Sequence, residues 1–188
     1  MPIEVELKFR IDKENIQEII NKLTNKNYIT NGRLYEKNVM YDNPNQLMQI
    51  SDGRIRLRQS GDSTEFCYKK PIKDGSGIKK EIEYQVNTTD FDTTEKILEM
   101  MEFRPASSYE RYRTKIKGDN ILVTIDEYPF DNFVEIEGEE EEIKKLAQEL
   151  DFDLSKNLVE PCDSLFVKWR EERGLPAIRQ MTFDGFDK

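Results

Sequence analysis

Charged residues in this chain recur at every second position in several short segments, and within most segments they share one sign. The basic sets are Arg54, Arg56 and Arg58, then Arg111 and Arg113, and the acidic sets are Glu4 and Glu6, Glu81 and Glu83, and Glu135 and Glu137. Successive side chains of a β-strand point to opposite faces, so each set lies on one face of its strand. Guanidinium groups bind phosphate oxygens and carboxylates bind Mg²⁺ or Mn²⁺, so together the two sets predict a site for a metal-bound polyphosphate.

The first interpretation of such alternation is an amphipathic strand whose charged face meets water and whose apolar face covers a central core. A solvated face normally carries Thr, Ser, Gln and mixed charges, however, because like charges stacked on one strand face repel each other. Stacked arginines are best tolerated beside an anion, and paired glutamates beside a divalent cation. We therefore predict that the charged faces point into a barrel and that helices cover the apolar faces outside.

The periodicity of the apolar residues predicts eight strands and four helices. The predicted strands are 3–10, 33–41, 54–58, 64–70, 79–84, 109–117, 121–128 and 133–137. The predicted helices are 11–23 with Asp12 as N-cap, 90–101, 139–150 and 161–173. Short strands separated by turn signals favour an α+β fold, an eight-stranded antiparallel β-barrel, closed or nearly closed, with flanking helices. One domain is predicted over 1–174, followed by a tail of unassigned structure over 175–188.

Composition excludes several classes of function. The 188 residues include 29 Lys and Arg against 38 Asp and Glu, which gives a formal net charge of -9. Such an acidic chain argues against nucleic-acid binding, which depends on neutralising phosphates with basic side chains. The sequence has no histidine, and this excludes Ser-His and Cys-His catalysis. Cys67 and Cys162 are the only cysteines, too few and too distant in sequence to suggest a disulfide framework.

The sequence also carries no signal for a membrane. No run approaches the roughly 20 apolar residues of a membrane helix. The amino terminus, Met-Pro-Ile-Glu-Val-Glu, lacks the basic and apolar regions of a signal peptide. We therefore expect a cytoplasmic protein with no membrane partner.

A series of short motifs resembles the CYTH family, also called triphosphate tunnel metalloenzymes. Glu4-x-Glu6-x-Lys8 resembles the ExExK signature of that family, and the segment Phe133 to Glu137 is similar to its FxEIE strand. The other matching positions follow in the family's order: Tyr41-Asp42, Arg56-Leu57-Arg58, Tyr68-Lys69-x-Pro71, Glu81-Ile82-Glu83, Arg111 and Ile125-Asp126-Glu127. The sequence departs from the family pattern at Phe130 to Asn132 and at Tyr109, where a basic residue is common.

The resemblance implies a tunnel that binds a triphosphate and Mg²⁺ or Mn²⁺. It assigns phosphate contacts, as catalytic and substrate-binding residues, to Lys8, Arg56, Arg58, Lys69 and Arg111, with Arg113 as a further substrate-binding residue. It assigns metal binding to Glu4, Glu6, Asp126, Glu135 and Glu137, with Glu81 and Glu83 as further candidates. For each charged residue taken alone, the competing interpretation is a surface salt bridge.

The first expectation for function is metal-dependent hydrolysis of tripolyphosphate or of a nucleoside or thiamine triphosphate. The alternative within the family is a class IV adenylyl cyclase, which converts ATP into cyclic AMP and pyrophosphate. The second alternative is a non-catalytic module that binds polyphosphate or nucleotide. A small-molecule triphosphate is therefore the expected partner, and a homodimer is compatible with a barrel of this size.

Overall fold

Eight antiparallel strands close into a barrel in the computed structural model, which describes residues 3–88, 90–184 and 186. The strands are β1 Ile3–Ile11, β2 Ile29–Asp42, β3 Arg54–Ser60, β4 Ser63–Pro71, β5 Lys79–Thr88, β6 Arg104–Lys117, β7 Leu122–Glu127 and β8 Asn132–Glu137. They are hydrogen-bonded in the order β2-β3-β4-β5-β1-β8-β7-β6, and β6 pairs back with β2 to complete the ring. The predicted α+β fold, an eight-stranded antiparallel barrel with flanking helices, is confirmed.

Helices lie at the connections between the strands. They are α1 Ile16–Asn25, α2 Leu47–Ser51, α3 Phe91–Met100, α4 Glu140–Glu149 and α5 Cys162–Glu171. Asp90 caps α3 by accepting a hydrogen bond of 2.8 Å from the backbone N–H of Thr93. Glu139 caps α4 in the same way, accepting 2.9 Å from the N–H of Glu141. These two helices therefore begin within one residue of their predicted starts.

The hydrophobic core lies outside the barrel, between its wall and the helices. The largest apolar cluster joins β1, β7 and β8 to α1 and α4, with Leu23 of α1 and Ile143 of α4 fully buried in it. A further cluster likewise joins Leu98 of α3 to Leu57 of β3, whereas the cluster of Phe166 of α5 includes Phe133, which is on the same face of β8 as Glu135 and Glu137. Burial of apolar surface therefore fixes the outer face of most strands and leaves most inner positions for polar side chains.

The predicted first helix was wrong at its start. Ile11 pairs with Asn132 as the last residue of β1, and a turn of 3₁₀ helix over Lys13–Asn15 precedes α1. The side chain of Asp12, which was predicted to cap the helix, makes no capping hydrogen bond. Strand pairing holds Ile11 in an extended conformation, and this overrides the helical spacing of the apolar residues that follow.

Three short elements among the described residues were missed by the sequence prediction. They are α2, a turn of 3₁₀ helix over Leu154–Lys156, and β9, Gln180–Met181, which pairs in parallel with Ser108 and Tyr109 of β6. The tail therefore returns to the barrel, and Met181 is buried beside α5. Residues 185, 187 and 188 of the predicted tail, and residues 1, 2 and 89 of the predicted domain, lie outside the described residues.

Candidate active site

The barrel encloses a cavity of about 290 Å³ whose lining is dominated by charged side chains. The predicted site residues that line it are Glu4, Glu6, Lys8, Arg56, Arg58, Lys69, Glu81, Glu83, Arg111, Arg113, Glu135 and Glu137. Six of the eight barrel strands contribute to this set, so the site exists only once the barrel has closed. Asp126 is fully buried behind the lining residues, where it contacts Arg111 and Arg113.

Buried carboxylates hold the arginines of β6 in place. Nη1 of Arg111 donates 2.8 Å to Oδ2 of Asp126, and Nε of Arg113 donates 2.5 Å to Oδ1 of the same carboxylate. Nε of Arg111 also donates 2.8 Å to Oε2 of Glu36, a residue of β2 that faces it across the closing seam. Arg113 reaches Oε2 of Glu135 at 2.6 Å. The guanidinium groups are therefore fixed before any ligand arrives.

The arginines of β3 are less completely neutralised. Arg56 donates 2.7 Å to Oε1 of Glu65, which also lies 3.4 Å from Nη1 of Arg58. Burial, together with the nearby charges of Arg56 and Arg111, lowers the pKa of Arg58 to about 10. Nε of Arg56 has no hydrogen-bond partner among the residues that the structure describes. This part of the cavity has a surplus of positive charge and is suited to an anion.

A surplus of negative charge lies elsewhere in the same cavity. Burial and the neighbouring carboxylate of Glu4 raise the pKa of Glu137 to about 7, and Glu6 acts in the same direction. Lys69 partly offsets this charge, since its Nζ lies 2.5 Å from Oε2 of Glu4 and 2.9 Å from Oε2 of Glu83. Glu4 and Glu6 therefore both disfavour the charged form of Glu137, and a hard divalent cation bound to carboxylate oxygens at this place would relieve that repulsion.

Lys8 lies between acidic groups of two neighbouring strands. Its Nζ is 3.2 Å from Oε1 of Glu135, which is its register partner on β8, and 3.4 Å from Oε1 of Glu6. It also donates 3.3 Å to the backbone carbonyl of Glu160 in the segment before α5. Burial disfavours the charge of Lys8, but the neighbouring Cys162, Glu135 and Glu6 together raise its pKa, so this ammonium group stays charged.

Several lining residues were not among the predicted site residues. They are Arg54, Glu65, Lys79, Lys115 and both cysteines. Glu65 is in phase with Lys69 on β4, and Lys79 is in phase with Glu81 on β5, so extending the two-residue period would have found them. Glu36 had no comparable signal, because β2 shows no run of like charges around it.

None of the helices in the described part of the chain has the length and the apolar composition that a membrane span requires.

Tyr109, one of the positions at which the sequence departs from the CYTH pattern, lines the cavity close to Arg111.

Solved structures from distant organisms share this fold at low sequence identity. A protein from Vibrio parahaemolyticus, provisionally named an adenylate cyclase, is 19% identical with a TM-score of 0.76, and the match covers 87% of this chain and 97% of that one. For protein PH1012 of Pyrococcus horikoshii OT3 the identity is 17%, the TM-score 0.71, and the coverage 84% of this chain and 96% of that one.

A third similar structure is the Hippeastrum protein HpAC1, provisionally named an adenylyl cyclase and described as having a dominant triphosphatase activity. It is 14% identical with a TM-score of 0.64, and the match covers 94% of this chain and 98% of that one. No curated protein sequence matches the chain. The family model of the CYTH domain, however, matches residues 2–160. Since that span is most of the 188 residues, the chain belongs to the CYTH domain family.

Proposed function

We propose that this protein hydrolyses a triphosphate with the help of a divalent metal ion. The observation that carries the proposal is uncompensated charge of both signs in one cavity. The pKa of Arg58 is lowered to about 10, mainly by burial and by Arg56, and the pKa of Glu137 is raised to about 7, mainly by burial and by Glu4. A triphosphate with its metal ion offers negative charge to the first group and positive charge to the second.

Mg²⁺ or Mn²⁺ fits the carboxylates of the cavity. Glu4, Glu6 and Glu137 would hold it, because carboxylate oxygens are preferred ligands of both ions. Glu6 and Glu135 would each exchange contacts with basic side chains for the metal, since Lys8 and Lys79 contact Glu6, and Lys8 and Arg113 contact Glu135. Both oxygens of Asp126 are likewise used by arginines. When bound, the metal would neutralise phosphate oxygens and make the phosphorus more open to attack.

The protein's own residues would bind and orient the phosphates. Arg56 and Arg58 of β3 and Lys69 of β4 would contact one part of the phosphate chain, and Arg111 of β6 would contact another. Because Glu36 and Asp126 already hold Arg111, its charge needs no reorganisation as negative charge develops on the leaving phosphate. A carboxylate of the same cavity, with Glu81 and Glu83 as candidates, would orient the attacking water. Such positioning and charge stabilisation supply most of the rate in phosphoryl transfer.

The second candidate is cyclisation of ATP. In its favour, the fold matches that of a protein provisionally named an adenylate cyclase. We rank hydrolysis first because water reaches any open tunnel, whereas cyclisation requires a precisely held ribose 3′-hydroxyl. The relative with a dominant triphosphatase activity supports the same order. A purely binding module needs basic side chains for affinity but has little use for a set of carboxylates that can bind metal, so it ranks third.

The proposal is tested by incubating the protein with tripolyphosphate, ATP and thiamine triphosphate, each with Mg²⁺ or Mn²⁺, and resolving the products by ³¹P NMR. Release of orthophosphate is expected. Glu135→Gln and Arg56→Ala should each lose this activity while remaining folded. Pyrophosphate together with cyclic AMP would replace hydrolysis by cyclisation, and tight binding without any product would favour the binding module.

A further inference from the structure

The ladder between β1 and β5 ends just before Lys8. The two strands pair in register from Ile3, and the last pair is Glu6 with Lys79, the first residue of β5. The same register continued by two residues would place Gly77 opposite Lys8. Gly77 has a φ angle of +72°, in the left-handed region that glycine adopts most easily. The chain therefore leaves the extended conformation at Gly77, and backbone pairing with β1 stops.

The side chain of Asn157 bridges these two residues instead. Its Oδ1 accepts a hydrogen bond of 2.8 Å from the backbone N–H of Lys8, and its Nδ2 donates 2.7 Å to the backbone carbonyl of Gly77. A primary amide offers a donor and an acceptor, as a peptide group does. Asn157 therefore makes the link between β1 and the loop before β5 that backbone pairing makes further along the ladder.

The residues after Asn157 contact the rest of Lys8. The N–H of Leu158 donates 2.8 Å to the backbone carbonyl of Lys8, and the carbonyl of Glu160 accepts 3.3 Å from its Nζ. The segment 157–160 thus contacts the backbone N–H, the backbone carbonyl and the ammonium group of one residue. Pro161 follows directly and lines the tunnel, so this segment leads from the edge of β1 to the wall of the cavity.

The backbone of Lys8 matters because its ammonium group lies inside the tunnel. The side chain is almost fully buried, and its Nζ lies between Glu6 and Glu135. A lysine carries its charge on a flexible four-carbon stem, so the reach of that charge depends on where the backbone holds the start of the stem. A displacement of about 1 Å in a group that orients substrate can cost about 10²-fold in rate.

We propose that Asn157 is a positioning residue, whose amide fixes the backbone of Lys8 and thereby the ammonium group that the tunnel offers to a phosphate. The inference deepens the proposed function and rests on it for the role of Lys8. Asn157 is not one of the described residues that line the tunnel. A substitution at Asn157 therefore reaches the phosphate site through Lys8 or through the stability of the fold, and the test separates these two routes.

The test is a double-mutant cycle between Asn157 and Lys8. Asn157→Leu keeps the size and the neutrality of the side chain but removes both hydrogen bonds, and Lys8→Met removes the ammonium group. Asn157→Leu should lower kcat/KM for tripolyphosphate about tenfold in the wild-type background and by less than about twofold in the Lys8→Met background. Asn21→Leu, on the exposed surface of α1, is the matched control and should have no effect in either background.

Equal losses in the two backgrounds would show that Asn157 only supports the fold. No loss in either background would show that the amide is dispensable. Both results overturn the inference and leave hydrolysis in place. Asn157→Ala, in which water can satisfy the two backbone groups, replaces Asn157→Leu if that variant does not fold, and the same pattern is expected.

Equilibrium binding decides the matter where activity cannot. If Lys8→Met is too inactive to assay, the same cycle is measured on the Kd for tripolyphosphate with Mg²⁺. If the wild-type protein hydrolyses no triphosphate, the proposed function fails, and the binding cycle still tests Asn157. A weaker Kd in the wild-type background alone supports positioning. Equal changes in both backgrounds, or no binding by wild type, would reject it.

Discussion

Arg111 and Glu36 face each other across the seam where β6 closes on β2, and Nε of Arg111 donates 2.8 Å to Oε2 of Glu36. Both side chains are almost fully buried. The pair therefore has two consequences. It links β6 to β2 where the barrel closes, and it fixes the direction of a guanidinium group that lines the tunnel.

The first prediction concerns stability at this seam. Glu36→Gln keeps the shape of the side chain but removes a buried charge that Arg111 and Arg58 both contact. We expect the free energy of unfolding to fall by about 1–3 kcal/mol, because two buried cations lose a partner. Urea denaturation measures the change. The control Glu141→Gln, on the exposed surface of α4, should stay within about 0.5 kcal/mol of wild type. A seam variant as stable as this control would contradict the argument.

The second prediction compares activity and stability at Arg58. Arg58→Ala should reduce kcat/KM by about 10²–10³, because the tunnel loses a fixed positive charge. It should also lower the free energy of unfolding by about 1–3 kcal/mol, because Asn38, Glu36 and Glu65 each lose a buried contact. Triphosphatase assays and thermal melting on the same samples test both parts. Arg33→Ala is the control, because Arg33 forms a partly exposed ion pair with Glu127 outside the set of tunnel-lining residues. Equal losses in the two variants would argue against a role of Arg58 in the tunnel.

The third prediction is a pH dependence caused by Glu137. Its pKa rises from an ordinary 4.5 to about 7 in the folded protein. Between these values the folded chain binds a proton that the unfolded chain has lost, so this group makes the free energy of unfolding fall as pH rises through the window. A bound cation removes the cost of ionising Glu137 in the folded protein. Mn²⁺ should therefore raise the melting temperature more at about pH 8 than at about pH 5.5.

Glu137→Gln is the matched variant for this experiment. It removes the titrating group, so the difference between the two Mn²⁺ effects should shrink. Equal stabilisation of wild type at both pH values would show that Glu137 does not take part in metal binding.

The fourth prediction concerns the core outside the barrel. Leu23 of α1 is fully buried in the largest apolar cluster. Leu23→Ala should lower the free energy of unfolding by about 2–5 kcal/mol. The activity of the molecules that remain folded should be unchanged, because Leu23 lies on the far side of the wall from the tunnel. Ile50→Ala, at a position that is 77% exposed, is the control. A loss of activity per folded molecule would mean that the outer core and the tunnel are coupled.

Much of the barrel could be predicted from the sequence because two physical demands act on each strand. In β3, Leu57 must face the helices while Arg56 and Arg58 face the cavity, and this produces a regular two-residue period. Elements without such a period were missed. For example, α2 has only five residues, and the residues on either side, Gln46 and Asp52, have positive φ angles that no periodic pattern reveals.

The charged character of the cavity was predictable from the sequence, but the partners of each charge were not. Glu36 and Arg111 are 75 residues apart, and only the register of two distant strands brings them together. Asp126 illustrates the same limit. Its carboxylate was predicted to bind metal, and the structure places it against Arg111 and Arg113, behind the residues that line the cavity. Its role in metal binding stays a prediction.

The outward position of the core also bears on how new substrates can arise on this scaffold. Neighbouring residues of one strand have different surroundings, since Leu57 packs in the outer apolar core while Arg56 and Arg58 line the tunnel. An exchange at an inward position therefore leaves the apolar packing intact. Substitutions at inward positions can therefore change the chemistry of the tunnel while the fold is retained.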